Sequence, residues 1–95
     1  MPAYVIVESE ALDAAAVEKY RAMATPTVAK HGGRYVARGA ATEAFEGEPS
    51  SRRVTIIEFP DADAARQWYR SPDYAEALAV GKNAFRRRMI LAPGL

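Results

Sequence analysis

Three polar residues stand where they could hold an anion or move a proton. Glu58 lies inside RRVTIIEFP, an otherwise apolar run rich in β-branched residues, so it places a carboxylate in a strand. A carboxylate in that setting is a candidate base. Burial raises its pKa and a neighbouring arginine lowers it. Arg38, in RYVARG, is a candidate for binding an anionic substrate group. His31 is the only histidine. It reads either as a general base or as a helix C-terminal residue favourably placed on the dipole. One histidine with no cysteine and no ligand spacing nearby makes no metal site, and no cofactor is expected. Trp68, Tyr69 and Tyr74 read either as an aromatic wall for a ligand or as a core stripe at helical spacing, and Tyr4 and Tyr20 carry the same two readings. Arg86-Arg87-Arg88 reads either as an anion-binding run or, in preference, as a guard against edge-to-edge strand pairing, since its side chains point to both faces.

The elements that must position these residues follow from periodicity. Ala3 to Glu8 alternates as a strand, with Ala3, Val5 and Val7 on one face and Tyr4, Ile6 and Glu8 on the other. Asp13 suits a helix N-cap, and Val17, Tyr20, Ala24 and Val28 recur at helical spacing. Pro26 lies inside that run, predicting a kink or break near Ala24-Thr25. His31-Gly32-Gly33 ends it with a glycine free to adopt the left-handed conformation. Arg34 to Gly39 reads as a second strand, with Arg34, Val36 and Arg38 on one face. Residues 40–51 read as a long hairpin connection that could include a short strand at Glu43–Glu46. Arg53 to Phe59 is the third strand, stopped by Pro60. Asp61 caps the next helix, Ser71-Pro72 restarts it, and Phe85 to Ala92 is the last strand.

The order β-α-β-β-α-β over residues 1–95 predicts one α+β domain: a ferredoxin-like sandwich with a four-stranded antiparallel sheet and two helices on one face. Two helices cover one face of four strands. With Val5, Val7, Ile57 and Phe59 beneath them, the uncovered face carries Tyr4, Ile6, Val36, Val54, Ile56 and Ile90. An apolar patch of that kind predicts a homodimer with sheets packed face to face. Glu8, Arg34, Arg38 and Glu58 share the same predicted face, either as ion pairs (Arg38 with Glu58 across the hairpin, for instance) or as the lining of a cavity.

Composition narrows the partners. The chain has 95 residues, a net charge of +1 and no cysteine. That charge gives no reason to expect nucleic acid or an anionic membrane, and aromatic residues are not interleaved with the arginines as a nucleic-acid platform needs. The N-terminus lacks a basic region, and its apolar run is too short for a signal peptide or span, so the expected location is the cytoplasm.

AYVIVE at 3–8, TVAKHGG at 27–33, ARG at 37–39, IIEFPDADAARQWYRSPDY at 56–74 and ILAPG at 90–94 together resemble the family known as domain of unknown function 1330. The resemblance implies a dimeric α+β barrel, a build similar to muconolactone isomerases, cofactor-free quinol monooxygenases, haem-degrading enzymes and amino-acid-sensing modules. It also implies signature polar positions at His31, Arg38, Glu58, Trp68, Tyr69, Ser71 and Tyr74. Many relatives carry an arginine near position 81 of the last helix, where this chain has Gly81-Lys82.

Two functions fit. The first is a small-molecule-binding homodimer, a cofactor-free enzyme of isomerase, lyase or monooxygenase type acting on a small aromatic or carbonyl acid in a pocket between sheet and helices. Arg38 would orient the anion, Glu58 or His31 would move the proton, and Tyr4, Trp68, Tyr69 and Tyr74 would line the site. The second is a non-catalytic ligand-sensing or stress-associated dimer. An open cavity reached by both Arg38 and Glu58 favours the first; a closed pair favours the second.

Overall fold

The computed structural model describes residues Met1–Leu95. The elements are β1 (Ala3–Ala11), α1 (Ala14–Lys30), β2 (Arg34–Ala40), β3 (Arg53–Phe59), α2 (Ala62–Arg70), α3 (Pro72–Ala84) and β4 (Phe85–Pro93). The four strands form one antiparallel sheet in the order β2-β3-β1-β4. This is the α+β architecture expected, with the second helical stretch divided at Ser71. No helix is long and apolar enough to cross a membrane.

The helix starts are set by the residues whose side chains suit them. Asp13 Oδ1 accepts from the Ala16 amide at 3.1 Å, and Asp61 Oδ1 accepts from the Ala64 amide at 2.7 Å. Ser71 serves two helices at once. Its hydroxyl donates to the Trp68 carbonyl at 2.7 Å, closing α2, and accepts from the Tyr74 amide at 3.3 Å, opening α3. Pro72 then occupies the first turn, where its missing N–H costs nothing.

One local expectation is narrowed and one is corrected. α1 runs unbroken through Pro26. The Thr25 hydroxyl donates to the Arg21 carbonyl at 2.7 Å, next to the Ala22 carbonyl that the proline leaves without its helical donor. Residues 41–52 contain no strand; the segment around Glu43–Glu46 is irregular and fully exposed.

The core lies between the sheet and the helices. Val5, Val7, Ile57 and Phe59 rise from the strands to meet Ala24 and Val28 of α1, Ala65 and Trp68 of α2, and Tyr74 and Ala77 of α3. Phe59 and Tyr74 have no exposed surface, and Trp68 retains 1%. The Trp68 indole N–H donates to Thr27 Oγ1 at 3.0 Å, which satisfies its one polar atom inside the core. Gly32 turns the chain after α1 with φ at +81°, and Gly33 lets β2 approach the core, since a Cβ there would lie 2.7 Å from the Phe59 ring.

The other face of the sheet has no helix over it, and the molecule is a slab measuring 36 × 34 × 15 Å. Ile6, Val54 and Ile56 are half-covered on that face, while Ile90 and Val36 are exposed by 37% and 48%.

β2 departs from simple alternation. Tyr35 pairs with Ile57, but Ala37 pairs with Ile56 and Ala40 with Val54. Two residues of β2 thus span one step of β3, and then three span two. Each mismatch is a β-bulge, and the second contains Gly39 at φ +58°. An extra residue reverses which face the following side chains occupy. Arg34 and Ala37 therefore share the open face, whereas Arg38 turns to the helix side.

Candidate functional site

The bulge in β2 opens a cavity of about 100 Å³ between α1 and one end of the sheet. Its walls combine apolar groups, among them Val7, Val17, Ile57 and Met89, with Arg21, Arg38, Arg53 and Arg87. Tyr20, Tyr35, Ser9 and Thr55 supply hydroxyls, and no carboxylate lines it. Arg38 and Arg87 approach from different elements, and neither belongs to any of the five ion pairs of the fold.

Each arginine is held by uncharged groups. The Arg38 guanidinium lies over the Tyr35 ring, 4.3 Å from its centroid, and donates to Thr25 Oγ1. Arg87 is half-buried. Its guanidinium lies 4.7 Å from the Tyr20 ring centroid and 5.2 Å from that of Phe85, and donates to the Tyr74 hydroxyl at 3.3 Å. The Tyr20 and Tyr74 hydroxyls meet at 2.8 Å. Burial opposes the charge on Arg87, but Tyr20 and Tyr74 outweigh it and the net shift is upward. Burial, reinforced by Tyr20, pushes the Tyr74 phenol well above its ordinary value, so it remains protonated at neutral pH. Burial also raises Tyr35, against the pull of Arg38. The site presents fixed positive charge and neutral phenols; it can bind and stabilise an anion.

Gly81 makes room for this arrangement. A Cβ at that position would lie 2.6 Å from Arg87 Nη2 and 3.0 Å from the Tyr20 ring. The space above α3 at position 81 is thus filled by a guanidinium that comes from β4.

The residues singled out from the sequence do not converge. Glu58 lies on the open face in one row across three strands, paired in register with Tyr4 of β1 and Arg34 of β2. Arg34 Nε donates to Glu58 Oε1 at 2.9 Å, and the Tyr4 hydroxyl donates to Oε2 at 3.0 Å. The ion-pair partner of Glu58 is Arg34 instead of Arg38, because the bulge carries Arg38 to the opposite face. Arg34 first and Tyr4 second hold the Glu58 carboxyl below the usual carboxylate range, which makes it a poor base at neutral pH. Glu58 in turn raises Tyr4. His31 sits at the C-terminus of α1 with Nδ1 2.9 Å from the Thr27 carbonyl, away from the cavity. Trp68 is core. Tyr74 is core as well, but its hydroxyl supports Arg87. Tyr69 is 45% exposed and faces a separate groove beside β4. No group of three or more metal-ligating side chains converges anywhere in the chain.

Tyr35 carries no site signal in the sequence, whereas Arg87 carries one beyond the anion-binding reading of its run. It shares strand parity with Met89 and Leu91, which pack against the core, so the middle arginine of the run is the one turned inward.

The model of the family described as Domain of unknown function (DUF1330) matches residues 2–95. The chain belongs to this family. Solved structures share its fold. A protein of unknown function from Rhodopseudomonas palustris is 23% identical, with a TM-score of 0.78 over 99% of this chain and 82% of that one. SnoaB, a cofactor-independent oxygenase from Streptomyces nogalater, is 18% identical, with a TM-score of 0.72 over 99% of this chain and 93% of that one. A dimeric ferredoxin-like protein of unknown function from Thermobifida fusca is 14% identical, with a TM-score of 0.65 over 99% and 92% of the two chains. At these identities the likeness of this DUF1330 chain to the three is one of fold. No curated protein matches it.

Proposed function

We propose that this DUF1330 protein binds the acid group of a small carbonyl or aromatic acid in the cavity of about 100 Å³ between α1 and the sheet, with any aromatic ring left at its mouth. One observation carries the reading: half-buried Arg87 and exposed Arg38 line one cavity with no carboxylate to neutralise them. A charged group that is partly desolvated, as Arg87 is, is usually paired, and a ligand anion supplies the missing partner. Arg38 anchors the anion near the mouth, Arg87 meets it from the inner wall, and Tyr20 is placed to donate a hydrogen bond.

The reaction this arrangement suits is one whose substrate ionises to a stabilised anion, such as an enolate or an acidic phenolate. Fixed guanidinium charge and phenol donors lower the free energy of such an anion without reorganising. A cofactor-independent oxygenase among the structural neighbours supports an enzyme on this fold. A second reading, a non-catalytic sensing module, draws on the same cavity, because its lining holds no histidine and no carboxylate to act as base.

Small acids such as benzoate, salicylate and short 2-oxo acids, each compared with its uncharged amide, test the binding. Acids are expected to raise Tm and to release or absorb heat on titration, while their amides do neither. Arg87→Met and Arg38→Gln should each weaken the acid by about tenfold or more, as loss of a charged contact requires. Equal binding of acids and amides, or unchanged affinity in both variants, would overturn the reading.

The protein is also proposed to act as a homodimer through the open face. A compact monomer of 10.4 kDa has an accessible surface of about 5,400 Å², whereas this chain exposes 6150 Å². The excess, about 750 Å², is close to the ~800 Å² each partner contributes to a standard interface.

A further inference from the structure

The most exposed large apolar side chain within the body of the chain is Phe45, at 92%, in the arm of residues 41–52 that joins β2 to β3. Glu43, Glu46 and Glu48 surround it, all exposed and none in an ion pair. On the far edge of the sheet, an apolar groove of about 300 Å³ lies between α2 and β4. Ala65, Trp68, Tyr69 and Leu91 form part of its floor, and Arg66 and Arg70 lie along it. Arg66 is engaged by Asp63 at 2.9 Å, but Arg70 is in no ion pair. An apolar cavity of about 150 Å³ is large enough for benzene, so the groove has room for a phenyl ring.

The arm and the groove are complementary in both apolar and charged groups, yet they lie at opposite edges, since β2 and β4 are the first and last strands of the order β2-β3-β1-β4. We propose that Phe45 of one copy seats in the α2–β4 groove of a second copy, with the arm's glutamates turned to Arg70 and Arg66 of that copy. A two-fold axis running along the strands between two facing sheets sets β2 of each copy over β4 of the other. Facing sheets are about 10 Å apart, and five extended residues reach about 16 Å, so Ala41 to Phe45 can round the edge of the partner's β4. The exchange is reciprocal, as a two-fold interface demands. It rests on the face-to-face dimer and is independent of the ligand.

Phe45→p-benzoylphenylalanine, irradiated in the full-length protein and mapped by mass spectrometry, tests the seat. The expected product is a covalent dimer cross-linked between position 45 and residues 62–70 or 89–91 of the other chain. A cross-link within one chain, a cross-link to the α1 cavity, or no cross-link while sedimentation still gives a dimer mass would each overturn the arm's seat and leave the dimer standing. A sedimentation mass of one chain would overturn both. Phe45→Ala checks the contribution without a bulky probe: the dimer dissociation constant should rise about tenfold or more, as for a central aromatic anchor, and a smaller rise counts against the seat.

Discussion

Glu58 shows how a residue with catalytic credentials can serve structure instead. Its carboxylate accepts from Arg34 and Tyr4 across three strands, and those bonds hold its pKa below the unfolded value. The ionised form therefore favours the fold. That contribution is fully present above the unfolded pKa and disappears as pH falls through the folded one. Glu58→Gln should flatten the dependence of Tm on pH below about pH 5. Asp73, lowered chiefly by Ser71, leaves some slope in place. An acid limb identical to that of the parent would show that the row contributes nothing to stability. Arg38 gives the converse lesson. Its residue type pointed to anion binding, and it lines the cavity, but beside Arg87 instead of Glu58.

At the scale of elements, most of the architecture was legible because local chemistry and hydrophobic period agreed. Asp13, Asp61 and Ser71 cap the helices expected of them, and Val5, Val7, Ile57 and Phe59 form the covered face. What escaped was β2. A bulge is set by pairing with β3, and its only local mark is Gly39, which is equally at home in a turn. Alternation read straight through RYVARG therefore assigned Arg38 to the wrong side and joined it to Glu58. At Pro26 the helix does not break, since packing of α1 outweighs one lost backbone donor. The His31-Gly32-Gly33 turn shows the tight tolerance between elements. Gly33→Ala would drive a methyl to within 2.7 Å of the Phe59 ring and 2.9 Å of Val28. The expected cost is about 1–3 kcal/mol, read as a lower denaturation midpoint at unchanged m-value. A midpoint equal to the parent's would mean that the core yields there freely.

The whole molecule is a sheet covered on one side. Its thinness and its excess surface are properties of the single chain, and both point to a second copy over Ile6, Val54, Ile56 and Ile90. Sedimentation at micromolar concentration is expected to give twice the chain mass. Ile56→Lys, which places a charge in the middle of that face, should shift the mass towards one chain while far-UV circular dichroism keeps its native shape. A parent that sediments as a stable single chain would remove the dimer. The cavity lies on the helix side, so its arginines are positioned by the single chain, whatever covers the open face.

The two surfaces are nevertheless linked by counting along β2. Were the first bulge ironed out, so that Val36 in place of Ala37 paired with Ile56, the guanidinium of Arg38 would pass from the cavity to the uncovered face. A slip of one residue between these two short strands thus decides which side of the sheet receives that positive charge, with the rest of the fold unaltered.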